Sequence, residues 1–105
     1  MPKKALDSLT ESMFYVLMAF STGPMCGIDI AEFIERKTGG TVKLGPATLY
    51  TILGKFENVK YIKEIEVDGR KRTYEITERG LEAYRDVVMR LRRCLADADS
   101  ERSVY

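Results

Sequence analysis

The sequence predicts a mainly α-helical α+β fold: a winged helix-turn-helix with a small β-hairpin and a C-terminal dimerisation helix. Three observations lead to this prediction. Residues 46–58 have the apolar spacing of an amphipathic helix, a basic turn follows at residues 68–72, and an apolar seam with heptad spacing begins at Leu81. A helix followed by a basic hairpin is the layout of a winged helix.

Length and composition indicate one folded domain. The 105 residues, 45% of them apolar, suffice for a single core, in a size range where oligomerisation often supplements a modest core. No apolar run approaches the ~20 residues that span a bilayer. The N-terminal Met-Pro-Lys-Lys is not followed by the apolar stretch of a secretory signal. We therefore expect a cytoplasmic protein.

The residue inventory argues against an enzyme. The chain has no histidine, which removes the usual general base, the Ser-His and Cys-His nucleophile pairs and most zinc sites. Cys26 and Cys94 form no metal-ligating pattern, and we expect both to be buried or partly buried reduced thiols. We predict no catalytic residue, no metal and no cofactor.

The first helix is predicted to begin after Thr10, whose hydroxyl can cap it, and to end at residues 21–24. Its apolar residues lie on more than one side. One side carries Met13, Val16, Leu17 and Phe20, and a second carries Phe14, Tyr15 and Met18. Such a helix is covered by more than one neighbour, which suggests a contact beyond its own domain.

The second helix is predicted from about Gly27 to Lys37, with Gly39-Gly40 ending it. Its inner face consists of Ile30, Ala31 and Ile34. Residues 41–43 are interpreted as a short strand that leads into the third helix.

The third helix, residues 46–58, is introduced by Gly45-Pro46 and has one apolar stripe, formed by Leu49, Ile52, Leu53 and Phe56. Small, hydroxyl-bearing or basic residues lie on its other faces: Ala47, Thr48, Tyr50, Thr51 and Lys55. A helix with one buried side and an outer side of this kind can lie in a DNA major groove.

Two strands are predicted next, at residues 62–67 and 73–76, each with one covered face. Asp68-Gly69 between them is typical of a hairpin turn. Arg70, Lys71 and Arg72 at the hairpin tip are the strongest candidates for phosphate contact, because three adjacent cations repel one another unless an anion is near. The alternative is a merely solvated turn.

The last helix is predicted to begin at Glu78, capped by Thr77, and to run to about residue 96. Its apolar seam, spaced 3, 4, 3 and 4 residues apart, consists of Leu81, Tyr84, Val88, Leu91 and Leu95. This a/d spacing favours pairing with a second copy over packing within the chain alone. We expect residues 1–77 to form a DNA-binding domain and residues 78–105 to form the dimerisation helix and tail.

The net charge of +1 is not that of a strongly basic DNA-binding protein. Its distribution is more informative. Between Lys43 and Arg72, seven basic residues oppose four acidic ones, a local balance of +3.

Several motifs resemble the PadR family of bacterial transcriptional regulators. The most diagnostic are residues 44–50, Leu-Gly-Pro-Ala-Thr-Leu-Tyr, and residues 69–80, Gly-Arg-Lys-Arg-Thr-Tyr-Glu-Ile-Thr-Glu-Arg-Gly. Residues 9–13 and Gly27-Ile28 are also similar, and the single C-terminal helix resembles the short subfamily. The resemblance implies a homodimeric winged helix-turn-helix repressor that is released in some members by a phenolic acid or a planar drug.

Two positions depart from the family pattern. Gly54 stands where Lys or Arg is usual, which costs about 1 kcal/mol of helix propensity against Ala and removes a phosphate contact. Lys60 stands where a Gly usually closes the helix. A left-handed Lys60 would be strained, unless Asn58 shifts the cap.

The candidate DNA-binding residues are Lys43, Ala47, Thr48, Tyr50, Thr51, Lys55, Arg70, Lys71 and Arg72. For Tyr50 the alternative is a core position, for Thr48 a capping role, and for the lysines simple solvation. The resemblance also implies an effector between the terminal helices, or between them and the winged-helix body. The candidate residues there are Phe14, Met18, Val88, Leu91, Arg92 and Leu95, with a packed dimer core as the alternative.

We therefore predict a sequence-specific, DNA-binding transcriptional regulator, a homodimeric repressor of a pseudo-palindromic operator with half-sites about one helical turn or a multiple apart. A small apolar or aromatic effector is the expected ligand. The alternative is a winged-helix module that binds a ligand or a protein but not DNA.

Overall fold

The computed structural model describes residues 9–101, which fold into four helices and a three-stranded antiparallel sheet. The elements are α1 (Glu11–Phe20), β1 (Met25–Cys26), α2 (Gly27–Thr38), α3 (Pro46–Asn58), β2 (Ile62–Asp68), β3 (Lys71–Ile76) and α4 (Glu78–Glu101). The predicted α+β class is confirmed. The N-terminal Met-Pro-Lys-Lys and residues 102–105 of the predicted tail lie outside the described residues.

Helix α1 is the central element of the core. The Thr10 hydroxyl accepts a hydrogen bond from the Met13 amide at 3.1 Å, as predicted for the cap. Val16, Leu17 and Phe20 are almost completely buried. On the second apolar side, Phe14 stacks on Tyr84 of α4 with ring centroids 5.5 Å apart. At Phe14, therefore, helix α4 of the same chain covers this second apolar side.

Helices α2 and α3 form the helix-turn-helix. Helix α2 ends at Gly39, which is left-handed with φ 62°, as its sequence predicts. Helix α3 has the predicted bounds and begins with Pro46 at its first turn. It buries its predicted apolar stripe of Leu49, Ile52, Leu53 and Phe56.

The strand predicted at residues 41–43 is wrong. The Thr38 hydroxyl donates to the Ile34 carbonyl at 2.8 Å and accepts from the Val42 amide at 3.1 Å. Val42 is therefore bonded to the end of α2 and not to a sheet. The third strand is instead Met25–Cys26, which pairs with Tyr74 and Thr73 of β3. Two residues are too few to show the period of a strand.

The β2–β3 hairpin is confirmed, but its turn is shorter than predicted. Asp68 pairs with Lys71, so only Gly69 and Arg70 form the turn, with Gly69 at φ 64°. A positive φ at the first central residue alone is the pattern of a type II′ hairpin turn. Lys71 and Arg72 consequently lie in β3, and only Arg70 is at the tip.

A bulge changes which face of β2 each side chain occupies. Glu64 pairs with Tyr74 and Glu66 with Thr73, so Ile65 is the extra residue. Beyond the bulge, Val67 pairs with Arg72 and is 56% exposed. The prediction of one covered face therefore fails for the outer half of β2.

The end of α3 is closed by a complete Schellman motif. The Tyr61 amide donates to the Phe56 carbonyl at 2.8 Å, and the Lys60 amide to the Glu57 carbonyl at 3.1 Å. The Phe56 and Tyr61 rings lie 5.7 Å apart, which supplies the usual apolar contact. Lys60 occupies the left-handed position with φ 68°. The predicted strain at Lys60 is therefore present, and Asn58 does not shift the cap.

Helix α4 begins on this closed end of α3. The Thr77 hydroxyl donates to the Lys60 carbonyl at 2.6 Å and accepts from the Gly80 amide at 3.1 Å. The Thr77 amide donates to the Tyr61 carbonyl at 2.9 Å. We call the contacts of Lys60 and Tyr61 with Thr77 and Gly80 the α3–α4 joint.

Helix α4 continues to Glu101, five residues beyond its predicted end. Along the predicted seam, Leu81, Tyr84 and Val88 are partly buried within the chain. Leu91 and Leu95 are 45% and 66% exposed. Cys26 is buried as predicted, but Cys94 is exposed on α4, because no second layer within residues 9–101 covers this end of the helix.

No helix within residues 9–101 combines the length and apolar character that crossing a bilayer requires.

Gly80→Ala should destabilise the fold strongly. A Cβ at this position would lie 2.2 Å from the Tyr61 carbonyl oxygen, a backbone atom that cannot rotate away. We expect the free energy of unfolding to fall by about 2–3 kcal/mol, as for an overpacked core. Gly54→Ala is the matched control, since a Cβ there meets nothing within 4 Å and should raise stability by up to about 1 kcal/mol. Urea denaturation at one protein concentration measures both, and equal effects would contradict the prediction.

Candidate nucleic-acid interface

The centre of the exposed face of α3 carries only short side chains, and we call it the smooth centre. Ala47, Thr51 and Gly54 lie along it and are all exposed. The Thr51 hydroxyl donates to the Ala47 carbonyl at 2.9 Å, so its proton is already used within the helix. A Cβ at Gly54 would meet nothing within 4 Å. Internal packing therefore does not explain the glycine at this position.

One flank of this face opens into a cleft of about 620 Å³ between the start of α2, α3 and the hairpin. We call it the wing cleft. Its lining residues are Cys26, Gly27, Ile28, Asp29, Tyr50, Leu53, Arg70, Lys71, Arg72 and Tyr74. Four of the nine predicted DNA-binding residues thus meet here. Tyr50 comes from α3, and Arg70, Lys71 and Arg72 come from the hairpin about twenty residues later in the chain.

Tyr50 forms the α3 wall of the wing cleft. It is 62% exposed, which excludes the alternative of a core position. A Cβ on Gly27 would lie 3.7 Å from the Tyr50 hydroxyl, so the phenol lies beside the first turn of α2. The backbone amides of a helix N-terminus attract anions. Asp29, whose carboxylate accepts from the Cys26 thiol at 3.3 Å, opposes that attraction.

The cations of the hairpin differ in their surroundings. Arg72 lies 3.6 Å from the Glu64 carboxylate, so one of the three adjacent cations has an anion of the same chain beside it. This pair reduces the repulsion on which the phosphate prediction was based. Arg70 and Lys71 are exposed at the mouth of the cleft. Lys63 pairs with Glu75 at 3.4 Å on the opposite face of the sheet.

Tyr74 forms the buried back of the wing cleft. Burial raises the pKa of its phenol above the ordinary value of 10.0, and the Glu57 and Glu64 carboxylates raise it further. The Arg72 guanidinium, which hydrogen-bonds the phenol, lowers the pKa and so opposes the rise. Tyr74 is therefore a neutral hydroxyl at physiological pH and can both donate and accept hydrogen bonds.

The other flank of α3 borders a second cleft of about 490 Å³, towards the start of α1. We call it the hydroxyl cleft. It is lined by Thr10, Ser12, Met13, Ala47, Thr48, Thr51, Ile52 and Lys55. Thr48 is the third residue of α3, whose cap residue is Gly45, so the capping alternative for Thr48 is not supported. The two clefts lie on either side of the smooth centre of α3.

The remaining candidates lie elsewhere. Lys43 is exposed before α3 but lines neither cleft. Of the effector candidates, Phe14 and Met18 of α1 and Val88 of α4 are partly buried, whereas Leu91, Arg92 and Leu95 are exposed on α4. Residues 9–101 contain no group of three or more His, Cys, Asp or Glu residues that could hold a metal ion.

Sequence reasoning did not assign ten of the lining residues to the site, among them Gly27, Ile28, Thr10 and Ser12. Ile28 carried a signal, because it is an apolar residue off the inner face of α2, and it is 69% exposed. Ser12 carried none, since a hydroxyl in the first turn of a helix is common. Its place beside α3 depends on how the helices pack.

The profile of the Transcriptional regulator PadR-like family matches residues 16–86. A curated relative, an uncharacterised 37.1 kDa protein in transposon TN4556 of Streptomyces fradiae, is 33% identical over 72 residues, which are 69% of this chain and 20% of that protein. This chain thus spans about a fifth of that relative's length.

Solved structures with a similar fold include the following two. A transcriptional regulator from Clostridium thermocellum has 24% identity and a TM-score of 0.73, with 89% of this chain and 92% of that chain covered. Bacillus subtilis PadR in complex with operator DNA has 20% identity and a TM-score of 0.64, with 72% of this chain and 45% of that chain covered.

Tyr74→Phe should change how stability depends on alkaline pH. The folded chain holds the Tyr74 proton more tightly than the unfolded chain does, because its folded pKa is raised. The associated stability is present below pH 10 and is lost as the pH rises from there towards the folded pKa. We expect urea midpoints measured from pH 8 to 11 to fall less steeply above pH 10 for the variant than for the wild type. Parallel profiles would contradict the prediction.

Proposed function

This chain belongs to the PadR-like family of transcriptional regulators, and on that premise we propose that it is a sequence-specific, homodimeric DNA-binding repressor. The observation that carries the proposal is the wing cleft. Tyr50 of the recognition helix and Arg70 and Lys71 of the hairpin line one cleft beside the smooth outer face of α3. This is the juxtaposition that a winged helix needs when its helix enters a major groove and its wing touches the adjacent backbone.

In this proposal, residues on the two flanks of α3 contact opposite walls of the DNA major groove. Thr48 and Lys55 in the hydroxyl cleft and Tyr50 in the wing cleft approach the two walls of the groove, where phosphates and base edges are both within reach. Arg70 and Lys71 contact phosphates and fix the register. Bacillus subtilis PadR, which is similar in fold, binds operator DNA, and this supports DNA binding as the function of the present chain.

We assign pairing to α4 and DNA reading to the part of the chain before it. Two observations support this assignment. The first half of α4 packs on the body of its own chain, and the second half leaves Leu91 and Leu95 exposed. Exposed apolar residues at heptad spacing are buried when two such helices pair. Two copies of the DNA-binding part of the chain, related by a two-fold axis, would bind a pseudo-palindromic operator. A regulator of this kind acts on the chromosome, so we place it in the cytoplasm.

We propose a small apolar or aromatic effector near the contact of α1 with α4. The support is the stacking of Phe14 on Tyr84 of α4 and the partly buried Met18 of α1, whose flexible thioether adapts to ligands of different shape. A ligand at this place would displace the part of α4 beyond Tyr84 without turning the α3–α4 joint, and would therefore change the distance between the two DNA-binding units of the dimer.

The alternative function is a winged-helix module that binds a ligand or a protein but not DNA. The net charge of +1 and the glycine at the centre of the outer face of α3 favour it. DNA titrations separate the two functions.

Arg70→Ala should weaken DNA binding several-fold and make it less sensitive to salt. The slope of log K against log salt concentration is negative, and each lost phosphate contact makes it less steep by about 0.9. Fluorescence anisotropy with duplexes from the region upstream of its own gene measures both quantities. Lys63→Ala is the matched control, because Lys63 belongs to the same hairpin, pairs with Glu75 and lines neither cleft, and should leave the slope unchanged.

The repressor proposal is wrong if the wild-type chain shows no salt-sensitive, sequence-specific binding, or if Arg70→Ala and Tyr50→Phe bind like the wild type.

Leu95→Glu should dissociate the dimer without unfolding the chain, because Leu95 is 66% exposed within the chain and a buried carboxylate is costly in a dimer seam. Sedimentation should give about twice the 12.0 kDa chain mass for the wild type and a single chain for the variant. Leu91→Glu should act in the same direction. Arg93→Glu, on the opposite side of α4, is the control and should remain dimeric. A wild-type monomer at micromolar concentration would refute the assignment of α4 to pairing.

A further inference from the structure

We infer that Thr77 is a positioning residue that sets the spacing between the two recognition helices of the dimer, and hence the half-site spacing that the protein accepts. The inference rests on the proposed function, a dimer that reads DNA through α3 and pairs through α4. In this inference the α3–α4 joint determines the half-site spacing, whereas the two clefts contact DNA and the exposed apolar residues of α4 form the dimer.

Thr77 connects three elements with almost no intervening chain. It is the single residue between the end of β3 at Ile76 and the start of α4 at Glu78. Its hydroxyl donates to the Lys60 carbonyl at 2.6 Å, and its amide donates to the Tyr61 carbonyl at 2.9 Å. The wing, the end of the recognition helix and the start of the pairing helix are therefore tied at one residue.

The backbone of the joint has little freedom on either side. On the α3 side, the Schellman bonds fix Lys60 in the left-handed region at φ 68°. This conformation costs a residue with a Cβ more than it costs glycine. On the α4 side, Gly80 approaches so closely that a Cβ there would lie 2.2 Å from the Tyr61 carbonyl oxygen. The contact is therefore between backbone and backbone, with no flexible side chain to absorb a change of angle.

A change of angle at this joint has a large effect on DNA reading. Helix α4 has 24 residues, about 36 Å at 1.5 Å per residue. Rotating it by about 10° relative to α3 moves a point 20 Å away by roughly 3.5 Å, close to the rise of one base pair. A joint that holds the angle to a few degrees would thus distinguish operators that differ by one base pair in spacing.

Three substitutions separate the two tasks of the Thr77 hydroxyl. Thr77→Ser keeps both the bond to the Lys60 carbonyl and the cap on the Gly80 amide. Thr77→Asp keeps the cap, since Asp is a strong N-cap residue, but its carboxylate cannot donate to the Lys60 carbonyl. Thr77→Val has nearly the same shape and does neither. Because the cap is retained in Thr77→Asp, this variant tests the joint even where Thr77→Val fails to fold.

The probe is the duplex that the wild-type chain selects from a randomised pool, remade with its half-sites one and two base pairs closer or farther apart. A duplex with a single half-site is titrated alongside, and sedimentation establishes the oligomeric state of each variant. We expect the wild type and Thr77→Ser to prefer the selected spacing at least tenfold over a change of one base pair. For Thr77→Asp we expect a dimer with unchanged single half-site affinity and a preference below about threefold.

A dimeric Thr77→Asp that keeps the wild-type spacing preference would overturn the inference while leaving the proposed function intact. A parallel loss of affinity for every duplex, the single half-site included, would also overturn it, because it would show a purely structural role. A wild-type chain that selects no duplex, or that is monomeric, would overturn the inference together with the proposed function.

Discussion

The hydrogen bond from the Thr77 hydroxyl to the Lys60 carbonyl is the constraint on which the arrangement of the domain depends. It joins the closed end of α3 to the first turn of α4, and the close contact of Gly80 with the Tyr61 carbonyl leaves room for no side chain between them. Helix α4 then returns along α1, where Tyr84 stacks on Phe14. Consequently α3, the hairpin and the exposed end of α4 are connected through one joint.

The sequence predicted the features that neighbouring residues determine. The bounds of α3, the Thr77 cap, the left-handed Gly39 and the Gly69 turn all depend on contacts within about four residues. The family resemblance added the left-handed position at Lys60. The pairing of β1, the bulge at Ile65 and the place of Arg72 in β3 depend on the register between distant segments, and no local pattern contains that register.

The same limit applies to the candidate site. Residue types and spacing identified Tyr50 and the hairpin cations, but not that they share a cleft with the start of α2. They also predicted three similar cations, whereas folding places Glu64 beside Arg72 and leaves Arg70 and Lys71 at the mouth. A chain with a net charge of only +1 thus places two exposed cations at the mouth of the wing cleft. Because screening confines such a field to about 10 Å at 0.1 M salt, position matters here more than total charge.

Contacts within residues 9–101 do not explain Gly54. It occupies the middle of α3, where it costs about 1 kcal/mol against Ala, and a Cβ there would meet nothing within 4 Å. Neither packing nor backbone conformation requires it, because its φ is not positive. If α3 enters a major groove, as proposed, a glycine between Ala47 and Asn58 lets the helix backbone approach the base pairs closely. Polar contacts with the DNA are then made from the flanks of α3, where Tyr50, Thr48 and Lys55 lie. The missing side chain at position 54 would thus favour the contact between α3 and the groove.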